Sequence, residues 1–315
     1  MPLRSVLASL GLTVMLLLGW LCLLQIAPTP REVQWINEIY ARKENVAREV
    51  QGAKYVLIGG SATHYSYSAE VVSKLTGLRV VNLGTHAGLG ASYILNRAMR
   101  SLNKGDTAVL ALEHPMIRPT PPSTILVSHV ATSDLDYLRQ APLSQLPYLL
   151  FGYSPMQLVR DLASRAIPWN SPLYRSNTVT AFGDESSNTV ENKLPYMLNV
   201  IRTAAPFGMY ALSDMGPTDS LVAFVIWARQ HGVNVVYTWP PTTDRLDYLT
   251  PTYETYLKAY AAVFEGLGVP VLGKQADYVL PEDEMLDSLY HADVRGARRA
   301  SAALARNLCA AKLCP

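Results

Sequence analysis

Charge is scarce in this 315-residue chain: 17% of its residues are Asp, Glu, Lys or Arg, against about a quarter in ordinary globular domains. What charge there is nearly cancels, Lys+Arg 27 against Asp+Glu 25 leaving +2. No long basic run and no interleaving of basic with aromatic residues is present, so the footprint of a nucleic-acid binder is missing. Cysteine is scarcer still. Cys22, Cys309 and Cys314 lack zinc spacing and the 6 His are dispersed, so neither metal nor cofactor is expected. The 19 Gly and 21 Pro are scattered without period, which excludes collagen-like and low-complexity chain. A hydrophobic content of 49% excludes general disorder, and the length suits one large domain or two small ones with a full core.

The longest uncharged stretch runs from Ser5 to Ala27, SVLASLGLTVMLLLGWLCLLQIA. As a helix rising about 1.5 Å per residue it spans the roughly 30 Å hydrocarbon core of a bilayer. A cleavable signal peptide has a shorter apolar stretch and a small-x-small exit, whereas here the exit is Gln25-Ile26-Ala27 and Trp20-Leu21 precedes Cys22. An uncleaved signal anchor over residues 1–28 is therefore expected. Arg4 stands before the span, and Arg31, Arg42, Lys43 and Arg48 follow it, so charge bias does not set the orientation. Cys309 and Cys314 are either a local disulfide, implying an oxidising compartment, or two free thiols at a frayed end.

Beyond Pro28-Thr29-Pro30, an amphipathic stretch over Val33–Val50 predicts a helix within a linker at 29–52. A domain over 53–315 follows. Apolar, β-branched runs at Lys54–Ile58, Leu78–Leu83, Thr107–Leu112, Val233–Thr238 and Val269–Leu272 predict strands. Helical patterns lie between them at Ala69–Leu75, Ala91–Ser101, Asp219–His231 and Tyr253–Leu267, with another at Ala297–Leu308. Strands that are apolar throughout belong to a parallel sheet covered on both faces. The alternation predicts an α/β fold, a three-layer α/β/α sandwich. A segment at about 117–218, rich in Pro, Ser, Asn and Tyr and with a helical piece near Asp134–Ala166, interrupts it as an insertion: a lid or substrate platform.

In such sheets ligands sit at the carboxyl ends of the strands. The first strand ends in Gly59-Gly60-Ser61, a small hydroxyl at a sharp turn into a helix whose N–H groups can face an oxyanion. Ser61 is either a nucleophile or a cap for that helix. The second strand ends in Asn82-Leu83-Gly84-Thr85-His86-Ala87-Gly88-Leu89-Gly90. Gly84 or Gly88 can offer an N–H there, and the spacing is not that of a dinucleotide fingerprint. Glu113-His114, after the third strand, reads either as ligand contacts at the rim or as a surface pair. Late in the chain, Asp287 precedes His291 in Leu286-Asp287-Ser288-Leu289-Tyr290-His291, with Gly296 beyond. That order of Ser, acid and His is what nucleophilic catalysis on a parallel sheet requires.

The runs Gly59-Gly60-Ser61, Asn82-Leu83-Gly84 through Gly88, and Asp287 to His291 with Gly296 together resemble the SGNH hydrolase/acyltransferase superfamily. Within it the chain is similar to bacterial membrane-anchored members, the DltD-like proteins and the acetylation factors of alginate and cellulose exopolysaccharide systems. The likeness spans most of 53–115 and 269–308. It implies a sheet in the order 2-1-3-4-5, Ser61 as nucleophile, His291 as base, Asp287 as its orienting acid, and an oxyanion hole from the N–H groups of Ser61 and Gly88. The chain departs from the family in three places. Gly60 stands where an acid usually precedes the serine, and Glu113-His114 replaces the oxyanion Asn, leaving His114 as substitute donor. Three residues separate Asp287 from His291 where two are usual, which leaves Asp283 as the rival acid.

The implied reaction is double displacement through an acyl-Ser61, resolved by water or by a sugar hydroxyl. An anchored enzyme outside the membrane has no acyl-CoA, so transfer needs an acyl donor supplied across the bilayer; the resemblance implies a membrane-bound O-acyltransferase as that donor and an exported polysaccharide as acceptor. Tyr65, Tyr67 and Tyr93 either stack on sugar rings or are core tyrosines. The expectation is an O-acyltransferase, held to the cytoplasmic membrane by one helix with its catalytic domain in the periplasm. An esterase and a non-catalytic glycan-binding scaffold of a synthesis complex are the other readings.

Overall fold

Every expected strand and helix pattern outside the insertion has its counterpart in the computed structural model, which describes residues 3–118, 120–165, 171–193, 195–203 and 216–315. The expected insertion takes in positions outside that set, among them Ala166. In chain order, the elements begin with helices α1 (Leu3–Ile26) and α2 (Arg31–Glu49), strand β1 (Tyr55–Ile58), helices α3 (Ser61–Ser66) and α4 (Ala69–Thr76), and strand β2 (Val80–Asn82). Helix α5 (Gly90–Met99), strand β3 (Thr107–Leu110) and helices α6 (Thr124–Ser133), α7 (Leu146–Phe151), α8 (Pro155–Ser164) and α9 (Pro195–Thr203) follow. Then come α10 (Asp219–Gln230), β4 (Asn234–Thr238), β5 (Thr242–Thr243), α11 (Pro251–Glu265), β6 (Val271–Leu272), β7 (Val279–Leu280) and α12 (Val294–Ala310).

Five strands form one parallel sheet in the order β2-β1-β3-β4-β6. Tyr55 is in register with Val80 on one side and Thr107 on the other, Thr107 with Asn234, and Tyr237 with Val271. A short parallel pair, β5 with β7, stands apart. Residues of β1, β2 and β3 are buried on both faces apart from the partly exposed Tyr55, which is why the sequence shows apolar runs there rather than alternation. Helix α12 packs on α3 and α4, and α5 on α10. Polar residues set the helix starts: Ser68 accepts from Val71 N–H, Thr218 from Leu221 N–H and Asp293 from the N–H groups of Arg295 and Gly296, each cap stabilising its helix by about 1 kcal/mol.

The chain forms two compact units. One joins Met1–Gln34 to Pro122–Trp169; the other, which holds the whole sheet, joins Trp35–Pro121 to Asn170–Pro315. In the first, α1 carries a span Ser5–Ile26 long and apolar enough to cross a membrane. In the second, Lys54 and Asp106 form a buried ion pair at 2.6 Å at the foot of β1 and β3. Asp106 also accepts the N–H groups of Lys54 and Asn103, so the buried charge is fully hydrogen-bonded. The open alternative at the C-terminus is resolved by a Cys309–Cys314 disulfide.

Candidate active site

Ser61 is the first residue of α3, one turn past the end of β1, and is partly exposed. It does not cap the helix. The cap position is Gly60, which has no side chain to offer, and a carboxylate from the segment after β3 takes over that task. Glu113 Oε1 accepts the Ala62 N–H at 2.8 Å and Oε2 accepts the Gly60 N–H at 3.0 Å. A Cβ on Gly60 would lie 2.6 Å from Glu113 Oε1 and 2.7 Å from the Cα of Ala87. The acid that usually precedes the serine in the resembled family therefore has no room here. With both neighbouring N–H groups held by Glu113, the N–H of Ser61 has no hydrogen-bond partner among the described residues, leaving it as an oxyanion donor.

The acid–histidine pair sits in a tight hairpin. Met285 bridges Ala292, and Leu286 N–H donates to His291 O at 2.7 Å. Within this loop His291 Nδ1 is 2.7 Å from Asp287 Oδ1, both side chains remaining partly exposed. Burial pushes the Asp287 carboxyl up, but the charge and hydrogen bond of His291 outweigh it and hold it below the usual carboxylate range. Asp287 thus stays ionised and holds the imidazole at its Nδ1. Asp283, the rival acid, is exposed and 3.3 Å from Arg295 Nη1 instead.

Helix α3 brings the two halves together. Tyr65 lies one turn after Ser61 on the same face, and its ring packs on the ring of His291 with centroids 4.8 Å apart. Ser66 Oγ donates to Tyr290 O at 2.7 Å and accepts from Ala292 N–H at 2.8 Å, bracing both neighbours of His291. Asn188 Nδ2 donates to Tyr65 O at 2.7 Å and to Ala292 O at 3.4 Å. No hydrogen bond joins Ser61 to His291 among the described residues.

Several other expected site residues are placed differently. Gly84 donates its N–H to Asn82 Oδ1 at 2.8 Å, and a Cβ there would meet His64 N at 2.5 Å. Its role is close packing of the second strand's exit on α3 rather than oxyanion binding. Gly88 N–H donates to His86 Nδ1 at 2.9 Å, so it reaches an oxyanion only by leaving that ring. Glu113 and His114 are not a surface pair: both are buried. His114 lies among Trp239, Tyr260 and Tyr290, with Nδ1 3.4 Å from Tyr290 Oη, and no face of it meets solvent. Burial pushes its pKa down to about 3, so it is a neutral ring that carries a single N–H. Tyr65, Tyr67 and Tyr93 are all core residues. Tyr65 donates to Leu173 O and Tyr67 to Trp239 O, which leaves no ring face for a sugar.

A buried polar cluster beneath α3 escaped the sequence reading. Asn82 Nδ2 donates to Thr63 O and Tyr67 O, and Asn82 Oδ1 lies 3.5 Å from Lys43 Nζ. His64 Nε2 is 3.2 Å from Glu185 Oε2, without hydrogen-bond alignment. Burial pushes Lys43 down to about 7 against the pull of Asp184 and Glu185, and burial with the Lys43 charge pushes His64 down to about 4. Asp184 accepts the N–H groups of Ala69 and Glu70 at the start of α4. Only Asn82 carried a signal, as the residue ending a buried strand; the other residues are scattered from 43 to 185 with no common spacing. Among the described residues, no group of three or more His, Cys, Asp and Glu is arranged to hold a metal.

The arrangement offers a partly exposed hydroxyl at a helix start, a backbone donor beside it, and an ionised acid fixing an imidazole on the same helix face. No family model matches the chain and no curated protein matches it, so what this site can do is argued from its own geometry.

Proposed function

We propose that the chain is a serine acyl-transfer enzyme of SGNH type with a three-layer α/β/α domain. Ser61 is the nucleophile, His291 the base and Asp287 the orienting acid. The observation that carries the reading is the 2.7 Å pair of Asp287 and His291, seated through Tyr65 on the helix that Ser61 begins. In the first half-reaction His291 Nε2 takes the Ser61 proton as Oγ attacks the acyl carbonyl. The oxyanion is met by the Ser61 N–H, and the leaving alkoxide collects the proton from His291. In the second half-reaction the acceptor hydroxyl gives its proton to His291 and attacks the acyl-Ser61, and Ser61 Oγ leaves with that proton from His291, which restores both groups.

Transfer to an exported or cell-envelope polysaccharide is the favoured outcome, with acetyl as the acyl group and a membrane-bound O-acyltransferase as its donor. The apolar α1 supports a single-pass anchor in the cytoplasmic membrane, and the Cys309–Cys314 disulfide supports an oxidising, extracytoplasmic side for the domain. The family likeness of the three motifs supplies the substrate class.

The test is intact-mass analysis of the full chain in detergent, treated with a serine-directed fluorophosphonate and separately with an activated acetyl ester. An adduct that maps to Ser61, and is lost in Ser61→Ala and His291→Ala, is the expected result. A folded protein that forms no adduct with either reagent refutes the catalytic reading and favours the scaffold.

A further inference from the structure

Helix α8 is built inside out for a water-exposed surface. Polar groups along one side of it face the unit they belong to: Asp161 accepts from Tyr153 Oη at 2.5 Å and from Gln157 Nε2 at 2.8 Å, and Arg165, just past its end, donates to Thr29 O at 2.7 Å. Its apolar residues face out. Met156 is 61% exposed and Val159 59%, and Leu162 joins them, at the spacing of one helix face. The preceding α7 does the same, with Tyr148 and Phe151 exposed around a buried Leu149. In water such a face gains nothing and risks aggregation.

The position of this face along α1 says what covers it. Helix α1 belongs to the same compact unit. From Ser5 to Leu16 its side chains are exposed, and from Leu17 a stripe through Trp20, Leu21 and Leu24 is at least partly covered. Trp20 Nε1 donates to Tyr153 O, in the turn joining α7 to α8, and Gln25 Nε2 donates to Ala131 O in α6. Trp20 lies six residues before Ile26, where the span ends, which places the α7–α8 turn about 9 Å inside that end at 1.5 Å per residue. Helices lying in a membrane interface bury their apolar face by about 5–10 Å. Arg160, exposed at the edge of the α8 face, is long enough to carry its guanidinium back to the headgroups.

We infer that α7 and α8 lie in the headgroup boundary of the bilayer that α1 crosses, their apolar faces in the acyl chains, making the anchor a three-helix interfacial foot. Lipid is the occupant because the turn between the two helices is hydrogen-bonded to the apolar span of α1 at interfacial depth. The inference rests on α1 crossing the bilayer.

The test uses the full chain in phosphatidylcholine–phosphatidylglycerol nanodiscs. A Cys22→Ser background leaves the disulfide intact and removes the free thiol. Nitroxides are placed singly through Phe151→Cys, Met156→Cys and Val159→Cys, with Leu10→Cys in α1 and Leu246→Cys in the sheet-bearing unit as references. Power-saturation EPR reads collision with oxygen against a nickel chelate. Oxygen should exceed the chelate at 151, 156 and 159 as at Leu10, with the reverse ratio at Leu246. Chelate-dominated collision at all three sites overturns the inference while leaving the anchor in place. Weak collision with both agents means that protein, such as a second copy, covers the face, and overturns it equally. A chelate-dominated Leu10 refutes the crossing helix, and the foot with it.

Discussion

Glu113 holds the main chain on both sides of Ser61, its two carboxylate oxygens 2.8 Å from Ala62 N and 3.0 Å from Gly60 N. This carboxylate does what a capping side chain does, from the segment that follows β3. Glu113→Ala leaves two buried N–H groups unsatisfied, at about 1–3 kcal/mol each, and loosens the turn that aims Oγ. Both the melting temperature and the rate of fluorophosphonate labelling at Ser61 should fall. Glu113→Gln keeps one acceptor and should fall between the two. Equal labelling rates in all three proteins would remove Glu113 from the site.

Asp287 and Asp283 compete in the sequence and separate in the structure. Asp287→Asn should slow acyl-enzyme formation on the order of 10⁴-fold, because the imidazole loses its tautomer control. Asp283→Asn touches only the exposed contact to Arg295 and should leave the rate unchanged, since surface pairs contribute at most about 1 kcal/mol to stability. Stopped-flow acylation of the two variants decides; matched losses would refute the assignment.

Gly60 is constrained by space. Gly60→Ala drives a methyl to within 2.7 Å of the Ala87 Cα, and backbone there cannot step aside cheaply. We expect a loss of about 1–3 kcal/mol, typical of overpacking, together with slower Ser61 labelling, read by denaturant melts and adduct kinetics. A variant with wild-type values for both would show that the turn and the 86–88 segment separate freely.

Two buried histidines make the fold acid-sensitive. Burial holds His64 at about 4, helped by the Lys43 charge, and His114 at about 3, while the unfolded chain binds these protons near pH 6.5. Falling pH therefore protonates the unfolded state first, and stability is lost from about pH 6.5 down toward the folded values. Each group contributes up to about 1.4 kcal/mol per pH unit. Urea melts between pH 6.5 and 5 should show that slope, and His114→Gln should remove about half of it. A flat profile would mean that neither ring is buried in neutral form.

The Asp287–His291 pair was legible because both members lie in one short loop with a chemical reason to be close. Glu113 was visible only as a residue following a strand. Whether such a side chain points to solvent, to core or back under the neighbouring turn depends on the rotation of the strand end, which residue spacing does not encode. Gly84 and Gly88 show the same limit in reverse: glycine marks a close approach of backbone, but not what approaches.

Local pattern determined the elements. Apolar β-branched runs are strands because both their faces are buried, Ser68, Thr218 and Asp293 start helices because their oxygens accept N–H groups within the next turn, and 23 uncharged residues from Ser5 to Ala27 are long enough to cross a bilayer. Tertiary structure alone decided which groups meet across long separations: Glu113 under Ser61, Asn188 between Tyr65 and Ala292, Lys43 against Asn82, and the outward apolar face of α8. The reason is physical. A periodicity reports which face of an element is apolar, but the partner that face meets, core or lipid, is fixed only when the elements pack.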